Sequence, residues 1–213
     1  DGSVVAFLSE STNLVALNTN GLRNVFLKNL ASGVVTLISV GQGNTAANAP
    51  SASILINDDV AVNPNGRFVV FSSLASNLVD NDDNQTSDIF LRDTTNQTTR
   101  RVSVASNGTQ SNGVSLYPGI SDDGRFIVFE STATNLDGPD NANFRDVFIF
   151  DTTTGQCRRL SKNFFNEDPN AHCLHPRISG DGTLIVFSSD ASDLVPGDDN
   201  NRSDLFTAAN PFL

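Results

Sequence analysis

Two stretches of this sequence repeat one pattern of hard oxygen ligands. The first holds Asp82, Asn84 and Asp88; the second holds Asp198, Asn200 and Asp204. Oxygen side chains two and four residues apart in a turn can wrap Ca2+, with backbone carbonyls and water completing its ~6–8 ligands. A third stretch keeps Asp140 and Asp146 but has Ala142 between them. A fourth has Asn18, Asn20 and Asn24, and so carries no formal charge. Calcium affinity is expected to fall in that order. The pattern lacks the Gly and terminal Glu of an EF-hand loop. The same residues also have a plainer use, since Asp and Asn close Asx turns and accept from loop amides without any ion.

Other reactive groups are few. Cys157 and Cys173 are the only thiols. Two cysteines make no disulfide framework, and a bridge between them is left open. His172, Cys173 and His175 are near enough in sequence to raise zinc, but neighbours this close at a strand entry read as surface loop. Asn84, Asn96, Asn107 and Asn201 each begin an Asn-x-Ser/Thr sequon. In a chain so rich in Asn and Thr, chance accounts for most of them. No G-x-S-x-G nucleophile turn occurs. Ser121-Asp122-Asp123-Gly124 is one residue short of a sialidase Asp-box, and Tyr117 is the only tyrosine. The chain therefore reads as non-catalytic.

Composition narrows the partners. The formal net charge is -11, and the only Glu residues are Glu10, Glu130 and Glu167. Phosphate neutralisation by Lys and Arg dominates nucleic-acid affinity, so this acidic chain is a poor nucleic-acid binder. Arg100-Arg101 and Arg158-Arg159 read as pairs at the start of a repeated strand, not as a basic patch. No apolar run approaches the ~20 residues that span a bilayer. Abundant Asn, Asp, Ser and Thr with few Lys suits an exported surface protein.

The elements that must hold these residues are set by a repeat. Asp123-Gly124-Arg125-Phe126-Ile127-Val128-Phe129 returns as Asn65-Gly66-Arg67-Phe68-Val69-Val70-Phe71 and as Asp181-Gly182-Thr183-Leu184-Ile185-Val186-Phe187. Asp1-Gly2-Ser3-Val4-Val5-Ala6-Phe7 is a fourth copy. A long fixed period is the signature of a repeat architecture. The repeats run approximately over 1–58, 59–115, 116–173 and 174–213, as one region of 1–213. The most complete copy has four strand-like pieces: Leu116 to Ser121, Arg125 to Glu130, Asp146 to Asp151 and Gln156 to Ser161. Turns with Gly beside Asp or Thr join them. Phe126-Ile127-Val128-Phe129 and Val147-Phe148-Ile149-Phe150 are apolar on consecutive residues, which point to opposite sheet faces. Both faces must be covered. A sandwich sheet normally alternates, whereas a propeller blade lies between two neighbours.

The stretch from Tyr117-Pro118-Gly119-Ile120-Ser121-Asp122-Asp123-Gly124 to Phe129, followed by Asp146-Val147-Phe148-Ile149-Phe150-Asp151, resembles the WD40-like repeat of TolB-type β-propellers of bacterial exported proteins. The resemblance covers the chain except its last few residues and an insertion near Asn44 to Asp58. It implies an all-β fold of about four blades, with the strand before the Asp-Gly turn innermost. Two blades are then complete (Val60 to Val104, Leu116 to Ser161). The first lacks its innermost strand and the last its outermost, and Ala208 to Leu213 departs from the pattern. The missing strands are expected from the rest of a larger propeller or from another chain; a closed four-bladed ring with two defective blades is the other possibility. Such propellers host many roles, so function does not follow from fold.

The function expected is a calcium-stabilised propeller module of an exported or cell-surface protein, used for protein contact or self-assembly. The alternative is a carbohydrate-binding or glycoside-processing propeller. An aromatic platform with convergent acids on the long-loop face would favour sugar; flat Asn, Ser and Thr loops would favour protein.

Overall fold

The structure is a computed structural model, and it describes residues 2–52, 60–138, 140 and 144–213. Among these residues every strand lies in one of four antiparallel sheets, and there is no α-helix. Blade one is β1 (Val4–Ser9), β2 (Asn24–Asn29) and β3 (Val35–Leu37). Blade two is β4 (Val60–Val62), β5 (Phe68–Ser73), β6 (Asp88–Asp93) and β7 (Thr98–Arg101). Blade three is β8 (Ser115–Ile120), β9 (Phe126–Ser131), β10 (Asp146–Asp151) and β11 (Cys157–Arg159). Blade four is β12 (Cys173–Ile178), β13 (Leu184–Ser189) and β14 (Asp204–Ala209). Strands neighbour one another in chain order within each sheet. Two blades thus have four strands. The first begins at its second strand and the last stops at its third, as the repeat predicts.

Consecutive burial, not alternation, marks the middle strands. Every residue of β6, β9 and β10 is buried. Val69, Phe71 and Phe90 face blade one, in a cluster with Val25 and Ile38. Val70, Ile89 and Leu91 face blade three, in a cluster with Ile127 and Phe129. Blades three and four meet through Phe126, Val128, Ile149 and Ile185.

The turn glycines set how closely the blades stack. Gly124 has φ +77 and lies over the Phe68 ring, so that a Cβ there would collide with it. Gly182 stands in the same way over Phe126, and Gly66 over Val4. At the two ends of the series this contact is missing. Nothing lies within 4 Å of the Cβ position of Gly2, and Leu184, the counterpart of Val4, Phe68 and Phe126, is half-exposed.

A second repeated contact clasps the loops. Asn112 donates from its backbone to Asn135 Oδ1 (3.1 Å) and from Nδ2 to Thr134 Oγ1 (2.9 Å), and it accepts from the Thr134 backbone (2.9 Å). Asn48 does the same with Asn77 and Ser76, and Asn170 with Asp193 and Ser192. The blade-to-blade crossings therefore meet the loops between second and third strands, which gathers the long loops together.

Some boundaries move. β14 runs to Ala209, two residues into the Ala208 to Leu213 stretch expected to depart from the pattern, because its pairing continues through Ile185↔Ala208 and Leu184↔Ala209. The inner strands β8 and β12 are bulged, with slips between Leu116 and Gly119 and between Leu174 and Arg177. Each slip spans a proline, Pro118 or Pro176, which offers no N–H to the ladder. Cys157 and Cys173 are free and buried, in β11 and β12. Residues 53–58 of the insertion near Asn44 to Asp58, and Ala142, lie outside the described residues. Among those described, no helix is long and apolar enough to cross a membrane.

Candidate functional site: acidic loops closed by arginine

In blade two, β6 opens on Asp88, whose carboxylate is fully buried. It accepts from Ser103 Oγ at 2.5 Å and from Asn84 Nδ2 at 2.8 Å. The outer strand then brings a cation. β7 pairs Arg101 opposite Phe90, and Arg101 Nη1 stands 3.0 Å from Asp82 Oδ1 and 3.4 Å from Asp88 Oδ2. Its Nη2 donates to the Asn81 carbonyl at 3.1 Å. The predicted trio Asp82, Asn84 and Asp88 is therefore assembled, and it is assembled around a guanidinium. A planar fork of donors suits two carboxylates better than a point charge does.

Blade three repeats the device. Asp146 is fully buried and accepts from Ser161 Oγ at 2.5 Å. Arg159, opposite Phe148, places Nη1 3.3 Å from Asp140 and 3.6 Å from Asp146, and Nη2 2.6 Å from Asp168. In these two blades an arginine side chain lies against two carboxylates of the predicted metal-ligand set.

Blade one shows the neutral version. Asn24 replaces the aspartate, Leu37 stands opposite Phe26 where the arginine stands elsewhere, and Ser39 Oγ still donates to Asn24 Oδ1 at 2.7 Å. Where the acid goes, the arginine goes too. Blade four has the acid without an outer-strand arginine; Arg202, within the loop itself, donates its backbone N–H to Asn200 Oδ1 at 2.7 Å. Asn200 Nδ2 donates to Asp204 Oδ2 at 2.9 Å, and Asp198 lies half-buried in the same loop. Among the described residues no strand lies beyond β14 to bring a cation in.

Burial dominates the electrostatics of the two closed loops. It pushes the Asp88 carboxyl up to about 6, against the pull of Ser103, Asn84 and Arg101. It pushes Asp146 up to about 7, against Ser161 and Arg159. At the far end of β6 the direction reverses. The Arg67 side chain, bonded to Asp93 at 2.9 Å, holds that carboxyl below the usual range.

Arg101 and Arg159 are what the sequence reading misses. It treats them as strand-start pairs. The available signal is Arg101-x-Ser103 and Arg159-x-Ser161 beside Asp88 and Asp146, against Leu37-x-Ser39 beside Asn24.

The remaining candidates do not converge. His172 Nδ1 accepts from the Arg145 backbone at 2.8 Å, Cys173 donates to Ser189 at 3.3 Å, and His175 stacks edge-on against Tyr117. No three His, Cys, Asp or Glu side chains among the described residues are grouped to hold a metal. Glu130, fully buried, accepts from Arg145 Nη1 at 2.7 Å and from the His175 backbone at 2.9 Å. It ties blade three to the bulge of β12 instead of facing solvent as an acid or base. One aromatic feature is unexpected: Phe164 and Phe165, with ring centroids 4.0 Å apart, are exposed in the crossing between blades three and four. They adjoin a groove lined by Asp137, Arg159, Lys162, Glu167 and Asp168.

No protein-family model matches the chain, and no curated protein matches it in sequence. Solved structures do match in fold. TolB from Acinetobacter baumannii superposes with a TM-score of 0.54 at 14% identity, over 96% of this chain and 41% of that one. A putative TolB from Agrobacterium tumefaciens gives 0.55 at 17%, over 98% of this chain and 63% of that one. The tricorn protease gives 0.55 at 15%, over 97% of this chain and 16% of that one. The chain spans less than two thirds of each of these proteins. What it shares with them is the fold: a run of blades from a TolB-like β-propeller.

Proposed function

We propose that this chain is a non-catalytic propeller segment of an exported or cell-surface protein, and that it works by protein contact through the open edges of its end blades. The observation that carries the reading is a contrast between equivalent residues. Leu205 in β14 is 76% exposed, whereas its counterparts Val25, Ile89 and Val147 are each 0% exposed. Unpaired sheet edges and bare apolar faces are normally paired or covered. Light scattering and thermal melting of the 213-residue chain test this. Self-association or aggregation that grows with concentration is expected. A monodisperse, cooperatively melting monomer at all concentrations overturns it.

In this reading Ca2+ is a ligand of blade four alone, held by Asp198, Asn200 and Asp204. Blades two and three carry their cation in Arg101 and Arg159. Melting in Ca2+ and then in EGTA tests this; an Asp204→Ala chain that keeps the full calcium response refutes it.

A second reading has its own observation. The exposed Phe164–Phe165 pair beside a groove with Asp137, Glu167 and Asp168 combines an apolar platform with acceptors for hydroxyl groups, which is what a carbohydrate needs. Saturable binding of an oligosaccharide, lost in Phe165→Ala, supports it. Unchanged binding in that variant removes it.

A further inference from the structure

Two residues of blade two depart from the repeat, and both line one cavity. Arg92 is the first. In β6 it stands opposite Val69, as Phe150 in β10 stands opposite Ile127. Phe150 is buried in the core between blades two and three. Arg92 holds the matching place between blades one and two, and it is only 9% exposed. Its Nη1 donates to Thr99 Oγ1 at 3.0 Å, and Thr99 Oγ1 donates on to the Val40 carbonyl at 2.6 Å. Asp93, beside it in sequence, is bonded to Arg67 instead. Among the described residues no carboxylate forms an ion pair with Arg92. Burial lowers its pKa, opposed only by the charge of Asp93. A guanidinium stays protonated even so, and buried charges are normally paired.

Gln97 is the second. It closes the turn from β6 to β7 at φ +55, where the matching turns of blades one and three have Gly33 at +71 and Gly155 at +73. Glycine takes this conformation freely, whereas a residue with a Cβ is strained in it. Such strain collects where ligands are clamped. Asn44, in the crossing from blade one to blade two, is also left-handed, at φ +57, and lines the same cavity.

The cavity holds about 300 Å3, at the small end of ligand pockets. Arg92, Gln97 and Asn44 bring N–H donors to it, and Val35, Ile38 and Val40 bring apolar wall. No Asp or Glu lines it, in a chain of net charge -11. A few placed polar groups on apolar walls are the make-up of a small-molecule site. The Arg92 end lies in the seam between two consecutive blades and is framed by both.

We propose that the seam between blades one and two binds a small organic carboxylate. Its anionic head bonds Arg92, with Gln97 and Asn44 beside it, and its apolar body lies against Ile38 and Val40. This site is separate from the edges of the end blades and from the groove beside Phe165.

The test is a titration of the 213-residue chain with octanoate, followed by calorimetry and by the methyl signals of Ile38 and Val40. Saturable binding at one site that shifts those methyls is expected. Octanol has the same body without the charge, and inorganic phosphate has charge without the body. Each should bind at least about tenfold more weakly, as for loss of a charge-assisted bond or of the buried apolar body. Arg92→Phe copies Phe150, and Arg92→Gln removes the charge without filling the cavity. Both should lose octanoate affinity by about tenfold or more, with melts showing that each variant is folded. Gln97→Gly copies Gly33 and Gly155, so it should melt higher and bind more weakly. Octanoate affinity unchanged in a folded Arg92 variant, octanol or phosphate binding as tightly as octanoate, or no saturable octanoate binding overturns the proposal.

Discussion

Arg101 and Asp88 close the acidic loop of blade two across the sheet, with Nη1 3.4 Å from Oδ2 and the carboxylate fully buried. Removing one partner of a buried pair leaves an uncompensated charge, which costs about 3–5 kcal/mol. Arg101→Leu alone is expected to destabilise the fold by roughly that amount. Combining it with Asp82→Asn and Asp88→Asn copies Asn18, Asn24 and Leu37 of blade one, and is expected to recover most of the loss. Denaturant melts of the single and combined variants check this. Additive losses would mean that the arginine and the acids do not act as one unit.

The pH dependence has a defined sign. Asp88 and Asp146 have folded pKa values of about 6 and about 7, above the unfolded carboxylate value. The folded state binds more protons, so their contribution is present below the unfolded value of about 3.9 and is lost as pH rises through the folded values. Asp93 and Asp151 are held below the usual range, so their contribution is present above that value and lost in stronger acid. Stability is therefore expected to peak near about pH 5 and to decline toward about pH 8. Asp88→Asn with Asp146→Asn should flatten that decline. Melting temperatures across the range give the slope; stability rising from about pH 5 to about pH 8 goes against this account.

Blade stacking can be tested with two glycines of the same backbone class. Gly124 (φ +77) lies against Phe68, whereas Gly155 (φ +73) has nothing within 4 Å of its Cβ position. Alanine at either place bears the strain of a positive φ, of order 1–2 kcal/mol. Only Gly124→Ala also overpacks the blade contact, for a further ~1–3 kcal/mol. Equal losses for the two variants would show that the glycine–phenylalanine contact carries no stacking energy.

Much of the fold is legible in the sequence, because a blade buries both faces and so writes consecutive apolar residues into its middle strands. Phe126 to Phe129 and Val147 to Phe150 announce this without help from tertiary context. The missing first and last strands follow from the repeat alone. The site is less legible. Spacing shows that Asp82, Asn84 and Asp88 converge, but not on what. The partner, Arg101, comes from a strand 13 residues beyond Asp88 and lies opposite Phe90, so it appears only once register is known. Phe164 and Phe165 escape for another reason. They sit in a crossing with no strand pattern, where apolar side chains give no sign of which way they face.

The thiols supply a check on burial. Burial pushes Cys173 up to about 12 and raises Cys157 as well. A thiolate is the reactive form, so both are expected to resist a thiol reagent until the chain unfolds. Rapid labelling of Cys157 in the native chain would mean that the blade-three edge opens.

The most direct measurement of the central claim is amide hydrogen exchange at Leu205 compared with Ile89. The two residues are equivalent, and in blade two the Ile89 N–H is capped by Ser103 Oγ at 3.1 Å under β7. An open blade-four edge predicts fast exchange at Leu205 and strong protection at Ile89. Equal, strong protection at both residues in the chain alone would contradict it.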